Sequence, residues 1–101
     1  MAITLPNGYT METTFFMDFG IAEAFGKDAV IDTFNNAFKN WKTNYVYLSE
    51  LAIVMSNKAC MWDGKDNDMS LAYTELYHKI DDYCMNNLKN DALAFYIKVT
   101  D

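Results

Sequence analysis

The sequence predicts an all-α fold: a small helical bundle built on a long central helix and an antiparallel partner helix. Two apolar stripes and the loop between them carry that prediction. From Asp28 to Trp62, the residues Ile31, Phe34, Phe38, Trp41, Tyr45, Leu48, Ala52, Met55, Ala59 and Trp62 recur at steps of three and four. That is the spacing of one face of an α-helix. Met69, Tyr73, Leu76, Ile80 and Tyr83 repeat it further on. Between the stripes, Asp63-Gly64-Lys65-Asp66-Asn67-Asp68 is a loop by composition. A short loop joining two long helices makes them antiparallel neighbours.

The 101 residues form one domain, with a tail or hairpin over 1–12 and helices over 14–25, 28–62, 68–88 and 91–99. At the start, Ile3-Thr4-Leu5 and Tyr9-Thr10-Met11 flank Pro6-Asn7-Gly8, where Pro presets φ and Asn-Gly tolerates positive φ. A short N-terminal β-hairpin resting on the helices and a loose tail are the two readings of this stretch. Thr13 or Thr14 then caps a helix that Gly26 stops. Its Phe15, Phe16, Phe19, Ile21, Ala22 and Phe25 cover more than one face, so it needs contacts on two sides.

Asp28 occupies an N-cap position, and the central helix follows, about 35 residues and roughly 50 Å long. Asn40-Trp41-Lys42-Thr43-Asn44 is its weak point, because Asn and Thr are poor helix formers. The stripe nevertheless keeps its phase across these residues, and the helix is expected to run through them with at most a bend. Glu50 and Asn57 lie opposite the stripe, with Val46, Ile53 and Val54 around them. The waist is thus apolar on nearly all sides, as in a helix buried between neighbours, within one chain or at a subunit contact. Val46, Tyr47, Glu50, Ile53, Val54 and Asn57 are therefore the expected interaction residues. After the partner helix, Lys89-Asn90-Asp91 breaks the pattern, and Leu93, Phe95, Tyr96 and Ile97 mark a short terminal helix. The first helix covers only about 17 Å of what the others leave open. A homodimer is the expected way to bury the remainder.

Composition excludes several classes of function. Apolar residues make up 51% and aromatic ones 16%, which excludes disorder. The net charge is −6, and all eight basic residues are Lys. Direct nucleic-acid binding calls on clustered Lys and Arg, so it is not expected, nor is an anionic membrane surface. Residues 1–32 and 63–91 each carry −4, whereas 33–62 carry +2, a distribution that suits a basic partner. No basic region followed by an apolar run opens the chain, and no stretch is apolar for long enough to span a membrane. Cytoplasmic residence with free Cys60 and Cys84, each packed as a small hydrophobe, is the expectation.

Chemistry-bearing patterns are weak. Glu75-Leu76-Tyr77-His78 has the Glu-x-x-His spacing of di-metal bundles, yet Glu75 and His78 point away from their helix's apolar stripe and Glu50 away from its own. The aspartates of the 63–68 loop fail the calcium-loop pattern counted from either Asp63 or Asp66, and a solvated turn with an N-cap explains them better. His78 has no Ser or Cys partner placed beside it, neither Cys carries a flanking motif, and no Gly-rich phosphate loop is present. No catalytic residue, metal ligand or cofactor is expected.

A resemblance adds a setting. Thr13-Thr14-Phe15, Asp18-Phe19, Ile21-Ala22, Phe25-Gly26, Asp32-Thr33-Phe34, Ala37-Phe38, Trp41-Lys42, Tyr45, Tyr47-Leu48-Ser49-Glu50-Leu51, Asn57-Lys58 and the closing Thr100-Asp101 resemble a family of small acidic proteins. Its members occur on conjugative elements and prophages of gut-dwelling bacteria, with no assigned activity. The resemblance spans residues 13–101 and rests on aromatic, structural positions. It implies a bacterial cytoplasm and a mobile element, and transfers no catalytic residue.

The function expected from these readings is a non-enzymatic protein-interaction module acting through an acidic, aromatic surface on another protein, host- or element-encoded. Two alternatives stand beside it. One is a metal-dependent or thiol enzyme using Glu75 and His78. The other is an acidic inhibitor whose spaced carboxylates mimic nucleic acid towards a host defence protein.

Overall fold

The computed structural model describes residues 5–6 and 8–87. They contain four α-helices: α1 (Met11–Glu23), α2 (Lys27–Trp41), α3 (Tyr45–Trp62) and α4 (Asn67–Asn87). The all-α expectation holds, and no strand occurs among the described residues. Around Pro6 a tight turn forms: the Gly8 N–H donates to Leu5 O (2.9 Å) and the Leu5 N–H donates to Tyr9 O (2.8 Å). Gly8 takes φ +88°, open to glycine at no steric cost. Of the expected hairpin, residues 1–4 lie outside the described residues, and Met11 is already the first residue of α1. The helix expected over 91–99 also lies outside them.

α1 begins three residues earlier than expected because Thr10, not Thr13 or Thr14, is the cap. Thr10 has extended backbone, and its Oγ1 accepts the Thr13 N–H at 3.1 Å. Gly26 (φ +111°) does not stop α1, which ends at Glu23 with Ala24 as its C-cap. It stands instead at the N-cap position of α2, where its carbonyl accepts the Val30 N–H. Asp28 falls within the first turn of α2, where a carboxylate meets the positive end of the helix dipole.

The expected helix over 28–62 is two helices. α2 ends at Trp41, Lys42 and Thr43 link, and Asn44 caps α3 by accepting the N–H groups of Val46 (3.1 Å) and Tyr47 (3.2 Å) on its Oδ1. The Asn44 N–H itself donates to Trp41 O at 2.9 Å, closing the turn. Satisfying two orphan donors from one side chain favours a fresh helix start over an Asn in mid-helix. The stripe hid the break because periodicity counts residues and not direction. The step from Trp41 to Tyr45 is still four, although the chain changes course between them. Across the corner the rings of Trp41 and Tyr47 stack at 4.0 Å between centroids.

α3 is the central helix. It makes its most extensive contact with α4, and α1 and α2 also pack against it. The α3–α4 pair is antiparallel: the Ser70 hydroxyl donates to Ala59 O at one end, while Ala52 shares a small cavity with Ile80 and Cys84 at the other. Their loop turns through Gly64 (φ +81°), and Asp66 Oδ1 accepts the Met69 N–H to start α4. Phe19, Val30, Phe34, Leu48, Leu51, Val54, Met55, Tyr73 and Ile80 are sealed at the centre. Phe19 meets Tyr73 edge-on, and Phe38 bridges Phe34 and Tyr83 by ring contacts.

Asn44→Ala discriminates between a capped start and a continuous helix. Loss of the cap costs about 1 kcal/mol, read as a lowered denaturation midpoint, whereas the better helix former would stabilise an unbroken helix.

Candidate functional site

The most elaborate polar constellation lies where α1, α3 and α4 meet. Glu23 is the last residue of α1, an unfavourable end for a carboxylate. Three donors compensate it. Lys58 Nζ reaches Glu23 Oε1 at 3.3 Å, while Trp62 Nε1 (2.9 Å) and the Tyr73 hydroxyl (2.6 Å) both donate to Glu23 Oε2. Lys58 is buried (3% exposed) and Glu23 nearly so (12%). The ammonium also lies 3.9 Å from the centroid of the Phe16 ring, a cation–π contact. Burial, followed by the hydrogen bond and negative charge of Glu23, raises the Tyr73 hydroxyl above the usual tyrosine range. Each partner is engaged by another, so the knot clamps helices together and offers no open acid, base or nucleophile.

Sequence reasoning missed this constellation. Trp62 and Tyr73 read as stripe residues, and Glu23 as one acid in an apolar helix. Their separations of 35, 39 and 50 residues along the chain leave no local pattern. A Lys immediately following the polar pair Ser56-Asn57 gives no sign that it is buried.

The residues expected to form an interaction face do not form an open one. Glu50 and Val54 are buried by the chain's own helices, and Val46, Tyr47 and Ile53 are half-buried. Asn57 alone of the six is exposed. Of the two explanations for the oily waist, burial within one chain is the one observed. A subunit contact is no longer required to cover it.

Glu75 and His78 are both exposed on α4, with the His78 ring edge-on to Tyr77. Among the described residues no three His, Cys, Asp or Glu side chains converge as a metal site. Cys84 is buried as expected of a small hydrophobe, and burial followed by the charge of Asp81 raises its thiol pKa. Cys60 departs from the expectation: it is exposed.

Among the described residues, exposed large apolar side chains gather on two outer faces, with Tyr9 and Met61 exposed apart from them. On α1, Met11, Phe15, Phe19 and Ala22 face the core. The opposite side carries Met17, Ile21 and, just past the helix, Phe25, which are 52%, 63% and 81% exposed. Ile21 also borders a groove of about 420 Å³ between α1 and α2 that holds Asp18, Asn36 and Asn40. Partial burial raises the Asp18 carboxyl above its ordinary value. The second open face is the outer side of α4, where Leu71 and Met85 are exposed. No helix among the described residues is long and apolar enough to cross a membrane. The chain matches no protein-family model, no curated protein and no solved structure.

Replacing Lys58 by Met leaves Glu23 buried without its cation, an expected loss of about 3 kcal/mol or more. The raised Tyr73 hydroxyl gives a pH signature. In the unfolded chain Tyr73 ionises near pH 10, and in the folded chain it stays protonated. The unfolded state therefore sheds its proton first, and stability declines as pH climbs past about 10. Tyr73→Phe costs about 2 kcal/mol at neutral pH and flattens that alkaline decline. Urea denaturation of both proteins at neutral and alkaline pH checks this, and parallel declines would contradict it.

Proposed function

We propose that this protein is a non-enzymatic protein-interaction module that pairs with a second copy of itself through the outer face of α1. The supporting observation is the exposed line Met17–Ile21–Phe25. The step of four places Met17 and Ile21 one above the other along α1, and Phe25 follows in the turn just past its end. Monomeric proteins do not usually leave such a line uncovered. The line is also self-complementary. In an antiparallel pair centred on Ile21, Met17 of one copy lies opposite Phe25 of the other, and Asp18 lies opposite the uncharged Ala24. A twofold axis therefore brings no like charges together, as an isologous interface requires. A bacterial mobile element as the setting, and its cytoplasmic location, rest on the sequence resemblance alone.

Sedimentation over a range of protein concentrations tests the pairing. The wild-type chain is expected to shift from monomer to dimer as concentration rises. Ile21→Glu, which buries a charge at the centre, is expected to remain monomeric. Asp18→Asn, which removes a carboxylate whose desolvation opposes pairing, is expected to dimerise at lower concentration. A wild-type chain that stays monomeric throughout would end the proposal.

A further inference from the structure

On the open side of α4, Asp68, Leu71, Glu75, His78, Asp82 and Met85 are all exposed, at successive steps of three, four, three, four and three. That is a seam, the spacing by which one helix presents a continuous strip to another. Its members alternate in chemistry. Carboxylates fall at Asp68, Glu75 and Asp82, each seven residues or roughly 10 Å from the next. Leu71, His78 and Met85 fall between and beyond them. Leu71 also borders a groove of about 180 Å³ between α4 and α2, with Ile31 and Ala72 beside it. Lys27 and Lys79 also line that groove beside Asp68 and Glu75, so the uncompensated acid of the seam is Asp82, beyond it.

A second copy of this chain does not fit the seam. In parallel register each carboxylate meets its own counterpart. In antiparallel register centred near His78, Glu75 of one copy meets Asp81 or Asp82 of the other. Like charges opposed across a helix pair disfavour it. A phosphate-mimicking surface is also a poorer fit, because apolar Leu71 and Met85 interrupt the carboxylates.

We infer that the outer face of α4 docks a basic amphipathic helix of another protein, one with an apolar residue and a Lys or Arg in each heptad. The apolar side chains lie over Leu71 and Met85, with the first reaching the groove beside Ile31. The cations meet Asp68, Glu75 and Asp82. This inference rests on the interaction-module reading and assigns it a second, heterologous surface.

The probe is a synthetic three-heptad peptide carrying Leu and Lys at those positions, with Ala and Gln elsewhere. Its binding to the wild-type chain is followed by fluorescence anisotropy at fixed salt. Glu75→Lys with Asp82→Lys is expected to weaken binding about tenfold or more. Asp32→Lys with Asp63→Lys changes net charge equally at exposed sites off the seam, and is expected to leave binding within about twofold once salt screens distant charges. Leu71→Gln with Met85→Gln keeps every charge and is also expected to weaken binding about tenfold. Equal losses from the two charge-reversal pairs would show attraction by net charge alone and overturn the inference. So would equally tight binding of a peptide with Gln in place of each Leu, the behaviour of a nucleic-acid mimic, or no binding of the probe at all. A wild-type chain that dimerises but does not bind the peptide fails this inference alone. A wild-type chain that binds the peptide yet never dimerises fails only the pairing through α1.

Discussion

The architecture hangs on one carboxylate. Glu23 sits at the negative end of α1, next to the turn that leads into α2, where a charged acid without partners would oppose folding. Lys58 and Trp62 from α3 and Tyr73 from α4 supply the donors that make the position tolerable. A buried ion pair seldom adds much net stability, because desolvation offsets the attraction. Its consequence here is positional. Three donors from α3 and α4 reach the same two oxygens, which ties the end of α1 to both of those helices.

Around this clamp the apolar residues settle α3 in the middle. A helix buried on one face needs one neighbour, whereas Leu48, Leu51, Val54, Met55 and the half-buried Ile53 point in several directions and need three. The corner at Asn44 supplies one of them, because it lets α2 fold back against the helix that follows it. A continuous rod would have left both halves with only α1 and α4 for cover. The break therefore removes the surface that would otherwise have demanded a partner at the waist.

What remains outside is unequal in chemistry. The face of α1 is apolar with a single partly desolvated carboxylate, a composition that tolerates its own copy. The face of α4 alternates acid and apolar residues, which makes it poorly matched to itself and well matched to a cationic helix. The proposed pairing through α1 and the proposed docking on α4 thus call on surfaces of different character.

Local chemistry by itself determined the all-α class and the start of the partner helix to within a residue, because each depends on residues a few positions apart. Positions of turns were harder. Thr10 preceded two equally plausible caps, and Asn44 was recognised as a weakness but outweighed by a stripe whose count survived the corner. Only the tertiary structure decided that Glu50 and Val54 face inward, that Lys58 is buried over Phe16, and that α1 keeps Met17, Ile21 and Phe25 outside. The physical reason is that exposure is a property of neighbours. A helix's own periodicity says which residues share a side, and residues dozens of positions away say whether that side meets water.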